Sequence, residues 1–173
     1  SELGVTFEVI SGEADLTGLS NLTYRSAGEV EVRALQNGNL NWNAATPVTN
    51  LFTVSDPPSS GMGLIGTNGT TMFSGFSPDP AKGSDFGVVP WGVSITNTFV
   101  ITNSGTEVLT ILSCYTNGDG ASAFRVADMP SQVSVGTVSN LSIVFEATAV
   151  GSYTAAVSMV NDSPNTPFVL QLA

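Results

Sequence analysis

Few groups in this 173-residue chain are equipped for chemistry. Asn117-Gly118-Asp119-Gly120 and Asn161-Asp162-Ser163-Pro164-Asn165 offer side-chain oxygens on turn-forming backbone. Hard cations take such ligands, so Asp119 and Asp162 are the calcium candidates. Neither run alternates ligands over about 12 residues to a terminal glutamate, as an EF-hand loop does. Without a metal each is an Asx turn. Trp91, between Pro90 and Gly92, and Tyr115 could stack on sugar rings, with Trp42 and Tyr24 as further aromatics. The same residue types in a small β-domain also cap a core.

Other chemistries are closed. The chain has no histidine, which removes Ser-His-Asp and Cys-His catalysis and every histidine-based zinc site. Its one cysteine, Cys114, can form neither an intrachain disulfide nor a thiolate cluster. At the end of Leu109-Thr110-Ile111-Leu112-Ser113 it reads as a buried structural thiol. Paired-carboxylate hydrolysis needs converging acids, but Glu29 and Glu31 alternate on a solvated strand face and Asp119 and Asp162 sit in turns. A non-enzyme is therefore expected. Asp85-Phe86-Gly87 spells the magnesium-binding triplet of protein kinases, without the phosphate loop, strand lysine or catalytic loop that go with it. Phe86 is expected in the core, with a bend at Gly87. Lys82, the sole lysine, lies in a turn-rich segment and is badly placed for an intramolecular isopeptide bond. Asn21, Asn68, Asn140 and Asn161 open matches to the N-glycosylation pattern, as chance allows in a chain this rich in Asn, Ser and Thr.

Composition points to partners. Charged residues are 10% of the chain and the net charge is −10, from 14 acids against 4 bases. So few cations cannot displace phosphate counterions, which excludes nucleic acid and disfavours anionic membrane surfaces. No apolar run reaches the roughly 18 residues of a membrane span. The 42% apolar content supports a packed core, under a surface of Ser, Thr, Asn and Gly that suits an extracellular or cell-surface setting. The chain enters a strand pattern almost at once, at Val5-Thr6-Phe7-Glu8-Val9. A removed leader or a longer parent protein accounts equally for that opening.

These residues ride on short alternating strands. The candidates are Val5–Ile10, Ala14–Leu16, Asn21–Tyr24, Glu29–Leu35 and Val48–Val54, then Met62–Ile65, Ile95–Thr102, Val108–Ser113, Phe124–Ala127, Leu141–Phe145, Tyr153–Val160 and Phe168–Leu172. Gly, Pro, Asn or Asp clusters bound them, as in a sandwich of antiparallel sheets. No segment carries a helical apolar face. Asp56-Pro57-Pro58-Ser59-Ser60-Gly61 breaks the pattern, because consecutive prolines cannot donate to a ladder. The expected division is residues 1–56, a linker at 57–60, and residues 61–173. The expected core is Phe7, Val30, Val32, Phe52, Phe99, Ile101, Ile143, Phe145, Tyr153 and Phe168.

Two resemblances cover almost the whole chain. Asp85-Phe86-Gly87, the run from Thr98 to Thr106, Leu109-Thr110-Ile111, Leu141-Ser142-Ile143-Val144-Phe145, Gly151-Ser152-Tyr153 and Asn161–Asn165 before Pro167-Phe168 resemble the hydin-type, abnormal-spindle-like immunoglobulin domain of bacterial choice-of-anchor D surface proteins. Glu146-Ala147 departs from a proline common in that family. Val5–Gly12, Ala27–Ala34 and Trp42-Asn43-Ala44-Ala45 resemble a bacterial immunoglobulin-like repeat whose first one or two strands would precede Ser1. The resemblances imply an all-β chain of two immunoglobulin-like β-sandwiches in tandem, the first lacking its N-terminal strand or strands. They imply a non-catalytic structural module of an extracellular bacterial assembly (a stalk, surface fibre or filament subunit) that self-associates or meets neighbouring domains of its parent. A strand from another subunit filling the first sandwich, as in donor-strand complementation, and a chain cut from a longer one are the two accounts of the missing strand. The other functional class is an adhesion module binding a glycan or protein through Trp91 or Tyr115. No cofactor is expected beyond calcium.

Overall fold

The computed structural model describes residues 3–18 and 20–173, and the chain divides into two compact units, Ser1–Pro57 and Pro58–Ala173. The first unit holds β1 (Thr6–Ser11), β2 (Ala14–Thr17), β3 (Asn21–Tyr24), β4 (Gly28–Leu35) and β5 (Val48–Val54). Alternation in β4 sends Val30, Val32 and Ala34 to one face and Glu29, Glu31 and Arg33 to the other. The strand therefore centres a three-stranded antiparallel sheet of order β1-β4-β5. Register sets Phe7 opposite Ala34, Val9 opposite Val32 and Phe52 opposite Val30, making one face apolar. On the opposite face Glu8 pairs with Arg33. β2 and β3 form a separate hairpin, closed by a bidentate bond from Arg25 to Asp15 with both N–H···O distances at 2.6 Å. Gly12 turns the chain from β1 into β2 at φ +95°, against the carbonyl of Glu29, where a Cβ would collide.

This unit departs from one expectation. Phe7 and Phe52, assigned to the core, are 40% and 37% exposed, and Val32 is half-buried; Val30 alone is buried, at 1%. Among the described residues of this unit, the other paired strands are the β2–β3 hairpin.

The second unit is a two-sheet sandwich. Its strands are β6 (Met62–Ile65), β7 (Thr71–Met72), β8 (Ser94–Asn103), β9 (Leu109–Asn117), β10 (Phe124–Asp128), β11 (Gln132–Val133), β12 (Val138–Glu146), β13 (Ala155–Asn161) and β14 (Phe168–Leu172). One sheet has the order β10-β12-β8-β6-β7, the other β11-β9-β13-β14. Leu64, Phe99, Ile101, Leu109, Leu141, Ile143, Val157, Met159, Phe168 and Leu172 are fully buried between them. Each such side chain contributes roughly 1.5–3 kcal/mol of burial before entropy is counted. β8 and β12 run longer than their apolar alternation, because the ladder between them continues through polar residues to Thr102 and Glu146, and β9 runs on to Asn117 because β13 pairs with it there. A bulge at Leu112 shifts the β9–β13 register, turning Cys114 inward beside Met159 and Tyr115 outward opposite Ser158. Helical structure among the described residues is confined to two three-residue 3₁₀ turns, Pro80–Lys82 and Ala121–Ala123.

Candidate functional site

A concavity of the second unit lies at the end of the sandwich where β12 leaves and β13 begins. A groove of about 390 Å³ runs between Gly87–Trp91 on one side and the Ala147–Thr154 connection on the other, with Phe145 and Ala173 beneath. Its floor belongs to an aromatic cluster. Phe86 meets Phe124 at 5.7 Å and Phe145 at 5.6 Å between ring centroids, and Phe145 meets Tyr153 at 5.7 Å. Edge-on and tilted pairs of this kind are favoured by the ring quadrupole. Phe86 thus enters the core as expected. Asp85 turns the chain there by accepting from the N–H of Gly87 at 2.8 Å.

Trp91 stands on the rim, 73% exposed, with its indole Nε1–H reaching the carbonyl of Thr148 at 3.4 Å. Val88 and Val150 on the same rim are fully exposed. The opposite wall is held by Tyr153. Its hydroxyl donates to the carbonyl of Ala149 at 2.8 Å and accepts from the Ala149 N–H at 3.1 Å. A tyrosine just before the sixth long strand of a sandwich, bonded to backbone four residues upstream, is the tyrosine corner of immunoglobulin-like folds. From the sequence Tyr153 was expected only as core; its hydroxyl contact was hidden.

The remaining candidates do not converge on this groove. Tyr115 lies on the outer face of β9, 49% exposed, and lines no part of it. Asp119 is exposed in the turn before Gly120, whose N–H bonds to Thr154 at the groove end. Asp162 lies at the other end, a β13 length away, roughly 20 Å at ~3.3 Å per residue. The two calcium candidates therefore cannot share an ion. Among the described residues, no three or more His, Cys, Asp or Glu side chains gather as metal ligands.

Asp162 is bonded within the chain. Its Oδ1 accepts from the Ser60 hydroxyl at 2.6 Å and from the Thr110 N–H at 3.0 Å. Those bonds, Ser60 first, hold its carboxyl below the usual range. Beside it, the buried Asn103 carboxamide donates to the carbonyls of Glu107 and Val133 and accepts from the N–H groups of Gly61 and Gly105. Ser59 exchanges further bonds with Thr106 and Glu107. Ser59 and Ser60, assigned to the linker from the sequence, are thus fastened to the β8–β9 turn and to Asp162 in the β13–β14 turn, respectively. Asn161 closes the β13–β14 turn through Ser163, and its 2% exposure places that glycosylation match out of reach. Cys114 is a free, half-buried thiol, and burial pushes its pKa up. Lys82 sits 4.4 Å from the Phe76 ring centroid and donates to the carbonyl of Thr71.

A family model for the HYDIN/CFA65/VesB-like, Ig-like domain matches residues 80–172. No curated protein matches the chain. Among solved structures, the chain is similar to a protein of unknown function from Porphyromonas gingivalis W83 at 14% identity and a TM-score of 0.48, over 99% of this chain and 84% of that one.

Proposed function

The chain belongs to the HYDIN/CFA65/VesB-like Ig-like domain family, and from that premise we propose that it is a non-catalytic structural module of an extracellular bacterial assembly. An immunoglobulin-like sandwich is ordinarily a structural or binding module, and its chemistry comes from sites grafted onto it. The observation that carries the structural reading is where the polar groups of the second unit are spent. Asn103, Asn161, Asp162, Ser60 and Tyr153 all fasten loops to the sandwich, and their side-chain bonds are made within the chain. A module built to keep its shape between neighbours needs that fastening. The low charge and the resemblance to bacterial surface-protein modules support the setting. Among the described residues no helix is long and apolar enough to cross a membrane.

The test is the location of the native protein. Protease added to intact cells should remove it, and electron microscopy of surface material should show it within a stalk or fibre. A chain found in the cytosol, protected until lysis, overturns the reading. A second reading, an adhesion module for a glycan or protein, is favoured by exposed Trp91 on the rim of the groove. Binding on a glycan array that is lost in Trp91→Ala supports it; an array without hits leaves the structural role standing.

A further inference from the structure

Two sheets and a sandwich leave edges, and an unpaired edge is a template for another strand unless something blunts it. The second unit blunts all four of its edges. β7 and β11 are two residues long. β10 carries Arg125 and Asp128 and a register shift between Val126 and Asp128. Along β14, Gly75 donates to the carbonyl of Val169, Ser74 accepts from its N–H, and Ser84 and Phe86 bond to Ala173. In the first unit β1 has Glu8 and a shift between Val9 and Ser11. β5 has no such device. It is seven residues long, Val-Thr-Asn-Leu-Phe-Thr-Val, without charge, proline, glycine or irregularity. Six of its seven residues are exposed, and no described residue pairs with its outer edge.

We infer that β5 is the site at which two copies of this chain join, antiparallel across a two-fold axis normal to the sheet through Leu51. The lack of charge on β5 lets a second copy approach there. The chain carries −10, so two copies repel at most of their surfaces, whereas β5 brings no charge to the contact. Its chemistry is also self-complementary. With Leu51 opposite itself, Phe52 faces Asn50, Thr53 faces Thr49 and Val54 faces Val48, all seven residues pairing. Thr–Thr and aliphatic cross-strand pairs each favour the ladder. This register keeps the apolar faces of the two sheets on one side; a slip by one residue sets apolar against polar. The flanking Asp56 falls opposite Thr46, away from its own symmetry mate. The result is a six-stranded sheet, β1-β4-β5 continued into its copy.

This pairing deepens the structural reading and rests on its self-association half. Sedimentation of the full chain over a dilution series should show a reversible monomer–dimer equilibrium. Leu51→Lys sets two ammonium groups opposite each other on the axis and should weaken the dimer about tenfold or more. Leu112→Lys, the same exchange on an exposed strand of the second unit, should leave it intact. In a Cys114→Ser background, Leu51→Cys should cross-link to itself under mild oxidation and Thr49→Cys should not. A wild-type chain that is monomeric throughout overturns the inference, as does a dimer indifferent to Leu51→Lys or a monomer that captures another protein's strand at β5. A monomer found in a surface fibre would sink the self-pairing and keep the structural role.

Discussion

At the scale of single residues, the second unit depends on a few buried or tethered polar groups. Asn103 satisfies four backbone groups at once. Asn103→Ala strands two N–H groups and two carbonyls, and an unsatisfied buried group costs roughly 1–3 kcal/mol. Some of the four regain water, so urea unfolding should show a loss of about 3 kcal/mol; a loss below about 1 kcal/mol would mean that the carboxamide is dispensable. Asp162 gives a pH signature. Its folded carboxyl lies below the unfolded value of about 3.9. The stability it lends is therefore complete above that value and drains away as pH falls through the folded one. The stability difference between wild type and Asp162→Asn should shrink on acidification below about pH 4. A difference that is constant with pH would remove the carboxylate's role. Neither residue was legible as a clamp. Asn103 stands in Thr102-Asn103-Ser104-Gly105, and that spelling predicts a turn without naming partners 42 and 30 residues away. Asp162 reads as a cation ligand because its sequence neighbours are oxygen-rich, while the hydrogen bonds it accepts come from Ser60 and Thr110, elsewhere in the chain.

At the scale of elements, the long strands were legible and the short ones were not. β8 declares itself because Phe99 and Ile101 alternate with polar residues, and β4 because Val30 and Val32 alternate with charges. β7 and β11 have two residues each, too few for any periodicity, and exist because a neighbouring strand offers an edge. The bulge at Leu112 breaks the alternation of β9 midway, which is why Leu112, apolar and in an apolar run, ends up exposed. The groove escaped sequence reading for a related reason. Its walls, Gly87–Trp91 and Ala147–Thr154, are brought together by the β8–β12 ladder, and no local signal links them. Turns, by contrast, announce their glycines. Gly105 packs against the carbonyl of Ser59 and the N–H of Gly61 with no room for a Cβ. Gly105→Ala should push Ser59–Gly61 off the β8–β9 turn and cost about 2 kcal/mol by urea unfolding, with faster exchange of the Gly61 amide. An alanine variant as stable as wild type would mean that the fastening yields without strain.

At the scale of the whole molecule, the two units differ in how they are held, and that difference has a measurable consequence. The second unit encloses ten fully buried apolar side chains between two sheets. The first has one buried apolar residue among its described positions, Val30, and leaves Phe7 and Phe52 more than a third exposed. Burial supplies most of the free energy that offsets chain entropy, so a unit with so little of it stands near the margin of stability. Native-state hydrogen exchange on the full chain separates the cases, since each amide reports the free energy of the opening that exposes it. Amides in β8, β9, β12 and β13 should exchange only through global unfolding of the sandwich. Those of β1, β4 and β5 should exchange through a separate opening at lower free energy, reached at lower denaturant. Joining two sheets along β5 would add ladder bonds at the weakest edge, so protection of β4 and β5 should rise with protein concentration while that of β12 does not. Equal protection in both units at every concentration would show that the first is complete without a partner, and that its exposed apolar face carries no energetic debt.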